Sequence, residues 1–276
     1  MNLQSNLLPL LKWAGGKRQL LPHLIQGLPK SFERYCEPFV GGGALLFALA
    51  PQKALINDVN EELVSFYKVV KDHPEDLISC LKEFKNEEEF FYKVRNIDLD
   101  VKAFSKLSEI YKAARTYYLN RTCFNGLYRV NRKGHFNSPY GHRKEVFIPA
   151  VERILAISEY LNKADITICS GSYLNLANVF KEGDFVYLDP PYDVERTSGF
   201  TNYSKNGFSR EDQKSLKLLC DSLTEKNINF MLSNSSTDFI LDLYRDYSIQ
   251  KVNAVRLINS KVSCRGAVKE VIVTNY

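Results

Sequence analysis

The chain of 276 residues has no apolar run long enough to span a bilayer as a helix, and no helical membrane protein is expected. Its first eleven residues carry no charged side chain ahead of their short apolar piece, unlike the basic start of a signal peptide. The six cysteines, at 36, 80, 123, 169, 220 and 264, show neither metal-ligand nor redox spacing. A disulfide framework would be unusual at this length, so reduced, mostly buried thiols in a cytoplasm are expected. His23, His73, His135 and His142 do not cluster with the cysteines, so no structural zinc or other metal is expected. There is no internal repeat and no low-complexity segment. Two nucleotide fingerprints are also missing. At Gly16-Lys17 the first glycine of a P-loop would fall on Leu11, and Arg18 stands where Ser or Thr would hold a metal. At Gly41-Gly42-Gly43 the third glycine of a dinucleotide turn is replaced by Leu46.

What is present is an ordinary globular composition, 45% hydrophobic and 25% charged, enough for one large or two modest domains. The net charge of +5 is mild, but its distribution is not. Between 112 and 145 stand Lys112, Arg115, Arg121, Arg129, Arg132, Lys133, Arg143 and Lys144 against Glu145 alone. Such a concentration is the footprint of a polyanionic partner.

Two glycine turns lie near the start. The only tryptophan, Trp13, precedes Ala14-Gly15-Gly16-Lys17-Arg18, where paired glycines beside a cation permit close backbone approach to a ligand. Tyr35-Cys36-Glu37 reads as a strand, the glycines at 41–43 as a tight turn, and the residues from Ala44 as a helix offering its amides. Ala54-Leu55-Ile56-Asn57-Asp58 reads as a second strand ending in an acid. An acid there suits ribose hydroxyls, and with the glycine turn it suggests an adenosine-type pocket. The plainer reading of Asp58 is the cap of a helix starting at Val59.

Residues 60–118 are helical in pattern, with Leu63, Phe66, Tyr67 and Val70 on one stripe and Ile110, Ala113, Ala114 and Tyr117 on another. From Asn120 to Lys144 the character changes. Arg129-Val130-Asn131-Arg132-Lys133-Gly134-His135-Phe136-Asn137 reads as a hairpin with a basic tip. Arginine and asparagine suit guanine and adenine edges, and interleaved aromatics suit stacking or wedging between bases. A solvated basic loop is the plainer reading.

Strands are expected again at 166–169, 185–188 and 228–233, with an antiparallel pair at 249–255 and 268–274 joined by a basic loop at 256–267. Asp189-Pro190-Pro191-Tyr192 follows the strand at 185–188. The prolines stop both sheet pairing and an immediate helix. The turn therefore presents a carboxylate, a carbonyl and an aromatic face at a strand's carboxyl end, where open α/β sheets bind ligands. The alternative is an ordinary Asp-Pro surface turn. Residues 193–209 are polar and long enough to form a flap, and Ser209-Arg210-Glu211-Asp212 resembles a helix start.

A carboxylate and a carbonyl are the two acceptors that a planar amino group needs for its two N–H donors. In this order the pieces resemble amino-methyltransferases, and closely the Dam-type (D12 class) DNA adenine-N6 methyltransferases. The resemblance is carried by Lys12-Trp13-Ala14-Gly15-Gly16-Lys17, Glu37-Pro38-Phe39-Val40-Gly41-Gly42-Gly43-Ala44 and Asn57-Asp58. It continues through Phe124-Asn125-Gly126-Leu127-Tyr128-Arg129, Phe136-Asn137, Pro139-Tyr140-Gly141, Asp189-Pro190-Pro191-Tyr192 and Ser233-Asn234.

The resemblance implies a Rossmann-like α/β methyltransferase sheet with helices on both faces, formed by 1–58 and 152–276. A helical target-recognition insertion carrying a β-hairpin would occupy 59–151. S-adenosylmethionine would be held by Trp13, Lys17, Phe39, Gly41, Asp58 and Asp189. Double-stranded DNA would be the partner, its target adenine flipped out onto Asp189, Pro190 and Tyr192. Lys12, Phe124, Asn125, Leu127, Arg129, Pro139 and Arg143 would read the DNA, within GATC, with or without a cognate restriction endonuclease. Relatives carry Gly-Arg after the Pro-aromatic pair; here His142 intervenes, so either Arg143 takes over that contact or it is lost. Transfer to cytosine N4, RNA or a protein glutamine, or DNA binding without catalysis, are the competing readings.

Overall fold

A computed structural model describes residues 7–13, 15–17, 19–126, 128–131, 133–142, 147–194, 208–255 and 267–276. Leu127 and Arg143, most of the expected flap and nearly all of the expected basic loop at 256–267 lie outside them. The chain divides into two compact units, one of residues 1–16, 41–52 and 57–171, the other of 17–40, 53–56 and 172–276.

Among the described residues seven strands are present where the sequence placed them: β1 (Arg34–Glu37), β2 (Lys53–Asp58), β3 (Asp165–Ser170), β4 (Asp184–Leu188), β5 (Asn229–Ser235), β6 (Ser248–Val255) and β7 (Ala267–Thr274). Their order through the sheet is β3-β2-β1-β4-β5-β7-β6. β1 runs parallel to β2 and β4, and β4 parallel to β5, whereas β7 is antiparallel to both β5 and β6. All five residues of β4 are buried, as expected of a parallel strand covered on both faces. Chain order reverses between β1 and β4, which is the switch point where such sheets bind ligands. The turn Asp189-Pro190-Pro191-Tyr192 leaves the carboxyl end of β4 there.

In the second unit α1 (Leu21–Gln26) precedes β1, and α9 (Arg210–Glu225) and α10 (Asp238–Leu243) flank β5. Ser209 and Asp212 form a reciprocal capping box that starts α9 at the predicted place. The buried face of α9 is Gln213, Leu216, Leu219, Cys220 and Leu223. A glutamine thus occupies a position where the helical stripe calls for an apolar residue.

The first unit holds α2 (Ala44–Leu49), α3 (Glu61–Asp72), α4 (Pro74–Lys82), α5 (Glu88–Arg95), α6 (Val101–Ser105), α7 (Glu109–Thr122) and α8 (Val151–Lys163). α7 is buried on nearly every side from Ala113 to Asn120 and packs on α3, α4 and α5, as the central helix of a bundle does. Arg115 belongs to that core and not to a basic surface: it is 1% exposed. Its guanidinium stands 2.7 Å from Asp98 and donates to the Val94 and Arg95 carbonyls. Lys112 likewise pairs with Glu109, so the basic segment presents fewer open cations than its sequence suggests. Asp58 does not cap a helix from Val59. α3 begins at Glu61, capped by Asn60, whose side chain accepts from Leu63 N–H.

Candidate active site and nucleic-acid interface

In the first unit the glycine turn is closed by the acid that ends β2. Asp58 Oδ2 accepts the Gly41 N–H at 3.0 Å, and Oδ1 accepts the Asn60 N–H at 2.9 Å. Burial pushes the Asp58 carboxyl up, against the backbone N–H groups of Asn60, Gly41 and Val59. Gly41 has φ +47, and a Cβ there would meet the Trp13 ring at 2.9 Å. Its carbonyl accepts from the Tyr67 hydroxyl at 2.8 Å. Trp13 is half-buried and stacked on Tyr128, ring centres 4.7 Å apart. Trp13, Gly41 and Asp58 are therefore brought together.

Lys12, Phe124, Asn125 and Pro139 gather around the carboxyl end of α7. The buried Asn120 accepts the Lys12 N–H at 2.9 Å and donates to the Lys12 carbonyl at 2.7 Å. The Phe124 N–H donates to the Pro139 carbonyl, and an antiparallel bridge joins Cys123 to Tyr140. Asn125 sits at φ +57, and Gly126 approaches so closely that a Cβ would lie 2.7 Å from the Lys12 side chain. Phe124, Asn125, Arg129 and Pro139 are all exposed. Of the hairpin expected at 129–137, the described residues show one isolated bridge, Val130 with Phe136, and the Asn131 and Asn137 N–H groups bonding back to the His135 and Arg129 carbonyls, with no paired strands among them. Arg129 Nε donates to Asn137 Oδ1 at 2.8 Å, fixing the guanidinium plane.

In the second unit Asp189 lies 2.8 Å from Lys17 Nζ, both side chains largely buried. Burial pushes the Asp189 carboxyl up to about 6, Lys17 pulls it down, and Glu270 adds to the rise. The Lys17 ammonium also sits 4.6 Å from the centre of the Tyr192 ring. Phe39 packs with Tyr173 and Phe208.

The turn is held by Asn234, which carries part of the resemblance, and its neighbour Ser235, and by Gln213, Arg210 and Thr237, which sequence reasoning missed. Gln213 Nε2 donates to the Pro191 carbonyl at 2.9 Å, while its Oε1 accepts from Asn234 Nδ2. Asp193 is held by Arg210, Thr237, Asn234 and Ser235. Among the described residues no donor reaches the Pro190 carbonyl. The turn thus carries a carboxylate paired with Lys17 and a carbonyl without a described donor, beside an aromatic ring. Gln213 betrays itself as a polar residue three before Leu216 on an apolar stripe. Among the described residues no group of three or more His, Cys, Asp or Glu is placed to hold a metal ion, and no helix is long and apolar enough to cross a membrane.

A seven-stranded sheet of this order, flanked by helices, with an acid-and-proline turn at its switch point, is a Rossmann-like methyltransferase fold. Residues 13–258 match the family model for D12 class N6 adenine-specific DNA methyltransferases. The chain is 48% identical to the Type II methyltransferase M1.LlaDCHI of Lactococcus lactis subsp. cremoris, over 98% of its own length and 96% of that protein's. It is 39% identical to the Type II methyltransferase M.MjaIII of Methanocaldococcus jannaschii, over 97% of its length and 99% of the relative's. With the DNA adenine methylase of Escherichia coli K12 it shares 32% identity, over 95% and 93% of the two chains. The chain belongs to the D12 class of adenine-specific DNA methyltransferases.

Proposed function

We propose that the methyl donor is S-adenosylmethionine and that the acceptor is the N6 amino group of an adenine flipped out of duplex DNA, within GATC. The observation that carries this reading is the division of labour in the Asp189–Tyr192 turn: Gln213 takes the Pro191 carbonyl, Lys17 holds the Asp189 carboxylate, and no described donor reaches the Pro190 carbonyl, which leaves a charged and a neutral acceptor side by side in the chain. Two acceptors suit the two N–H donors of one amino group. Accepting both draws the nitrogen toward a tetrahedral shape and returns its lone pair, otherwise delocalised into the ring, for attack. Asp189, ionised above about 6, is the acceptor at hand for the proton that the nitrogen sheds. Tyr192 gives the base a ring to stack on, and Lys17 keeps the carboxylate in place. Most of the rate enhancement in this scheme is positioning and charge placement.

The donor supplies an electrophilic methyl group on a sulfonium. In the first unit Trp13, Gly41 and Asp58 suit an adenosine: a bare backbone turn, an aromatic face, and a carboxylate to accept from a ribose hydroxyl. In the second unit Lys17, Phe39 and Asp189 are assigned to the same donor. Residues 59–151 form the proposed recognition part, with Lys12, Phe124, Asn125, Leu127, Arg129, Pro139 and Arg143 reading the DNA. The kinship with proteins named Type II methyltransferases supports a place beside a cognate restriction endonuclease, in a cytoplasm where thiols stay reduced.

The test is transfer of a radiolabelled methyl group from S-adenosylmethionine to plasmid DNA, followed by mapping of the modified base and its neighbours. Label on adenine N6 within GATC upholds the reading. Adenine label in another context overturns the GATC assignment alone, and label on cytosine or only on RNA overturns the acceptor.

A further inference from the structure

Beyond its effect on the Asp189 pKa, Glu270 has no role in methyl transfer as described, and its setting is unusual. It stands on β7, the strand hydrogen-bonded on one side to β5 and on the other to β6, with Ser235 and Val252 as register partners. The three residues after it, Val271, Ile272 and Val273, are buried, and Glu270 itself is 8% exposed. A carboxylate in such a place costs folding free energy unless a polar partner repays it. Among the described residues its hydrogen-bond partner is the Tyr192 hydroxyl, which donates to Glu270 Oε2 at 2.9 Å. Burial, together with Asp189, Tyr187 and Glu270, pushes the Tyr192 phenol well above its ordinary value, so it remains a donor.

We propose that Glu270 is a positioning residue for methyl transfer, holding the Tyr192 ring by its hydroxyl at the angle the target base needs for stacking. This rests on the reading of Tyr192 as the floor for the flipped adenine. A tyrosine after two prolines on a turn is free to rotate about χ1 and χ2, and a ring that must meet a base gains from being fixed beforehand. The ring is held twice: at its hydroxyl by a carboxylate on a strand paired along both edges, and at its face by the Lys17 ammonium. A phenylalanine would stack equally well but would lack the first restraint. On this account the tyrosine hydroxyl serves Glu270 and not the base.

The experiment is a double-mutant cycle with Glu270→Ala and Tyr192→Phe, plus Glu270→Gln. It uses the full chain, radiolabelled S-adenosylmethionine and a GATC duplex under single-turnover conditions, with duplex affinity and thermal unfolding measured in parallel. Glu270→Ala and Tyr192→Phe should each slow transfer by about tenfold or more, with duplex affinity within about twofold of the parent. The double variant should be no slower than the slower single one. Glu270→Gln, whose amide oxygen still accepts from the hydroxyl, should recover most of the rate. Parent-like transfer in Glu270→Ala, even with a lowered melting temperature, overturns the proposal, as do single effects that multiply. If Glu270→Ala does not fold, Tyr192→Phe decides: a slowed rate beside an active Glu270→Gln supports the proposal, and an unchanged rate overturns it. A parent protein that labels no adenine defeats the functional reading instead, whatever the variants do.

Discussion

The Lys17 ammonium lies 2.8 Å from Asp189 Oδ1, a largely buried ion pair at the carboxyl end of the central strand β4. Two opposing effects meet on that carboxylate. Burial raises its pKa and Lys17 lowers it, and the balance at about 6 leaves it ionised in neutral solution. A carboxylate so tuned is a stronger hydrogen-bond acceptor than an exposed one, and is still charged when needed.

The first prediction follows from that balance. Because the Asp189 pKa is raised, the acceptor form exists above about 6 and is lost as pH falls through it. The value of kcat/KM for methyl transfer should therefore decline below about pH 6 with the slope of one proton. Lys17→Met removes the influence that lowers the pKa, so the acidic limb should move to higher pH; each unit of movement costs about tenfold in rate well below the pKa. Initial rates across pH 5 to about 8 check both. A limb that stays put in Lys17→Met would show that another group sets it.

A second prediction concerns Gly41. Its positive φ and the 2.9 Å approach of the Trp13 ring leave no room for a Cβ. Gly41→Ala must either displace Trp13 or open the turn that Asp58 closes through the Gly41 N–H. Donor affinity, measured by calorimetry with S-adenosylmethionine, should fall by about tenfold or more, an amount on the scale of one lost hydrogen bond to a charged group. Duplex affinity should change little. Unaltered donor binding would remove Gly41 from the pocket.

Much of this was legible in the sequence, and the reason is physical. The strands carry apolar runs bounded by turn residues, and Asp189-Pro190-Pro191-Tyr192 contains its own structural instructions, since proline dictates backbone shape locally. Helix starts were legible where a cap is encoded nearby, as at Ser209, and misread by two residues where two capping side chains compete, as at Asp58 and Asn60. Partners distant in sequence were not legible. Nothing local distinguishes Arg115, a core residue facing Asp98, from the exposed Arg129, and a count of charges treats them alike. Glu270 is separated from Tyr192 by 78 positions and meets it only through sheet order.

Arg129 should discriminate at one base pair. Its guanidinium is fixed by the bond from Nε to Asn137 Oδ1, so its remaining donors are presented in a set plane. Arg129→Ala should relax sequence preference at a single position by about 1–3 kcal/mol, and Asn137→Ala should act in the same direction by less. Methylation of duplexes with single substitutions in the target sequence measures this. A uniform loss across all duplexes would mean that Arg129 serves only the phosphate backbone.

The last prediction tests what supports that turn. Asp98 is buried and accepts the Phe136 N–H at 2.9 Å through the same Oδ2 that faces Arg115 at 2.7 Å. Its other oxygen makes no hydrogen bond among the described residues, with His135 Nδ1 3.9 Å away. One carboxylate therefore ties α7 to the turn at 129–137. Asp98→Asn keeps an acceptor for Phe136 but removes the charge opposite Arg115, whose remaining carboxylate among the described residues is Glu62 at 3.7 Å. Leaving a buried guanidinium so poorly compensated should cost about 3–5 kcal/mol. Urea unfolding of parent and variant measures the difference directly. A loss below about 1 kcal/mol, within the range of an exposed ion pair, would mean that solvent or Glu62 already neutralises Arg115. If Asp98 acts as argued, the variant should also blur sequence preference at the base pair that Arg129 reads, because the turn carrying that arginine loses its anchor to the helical core.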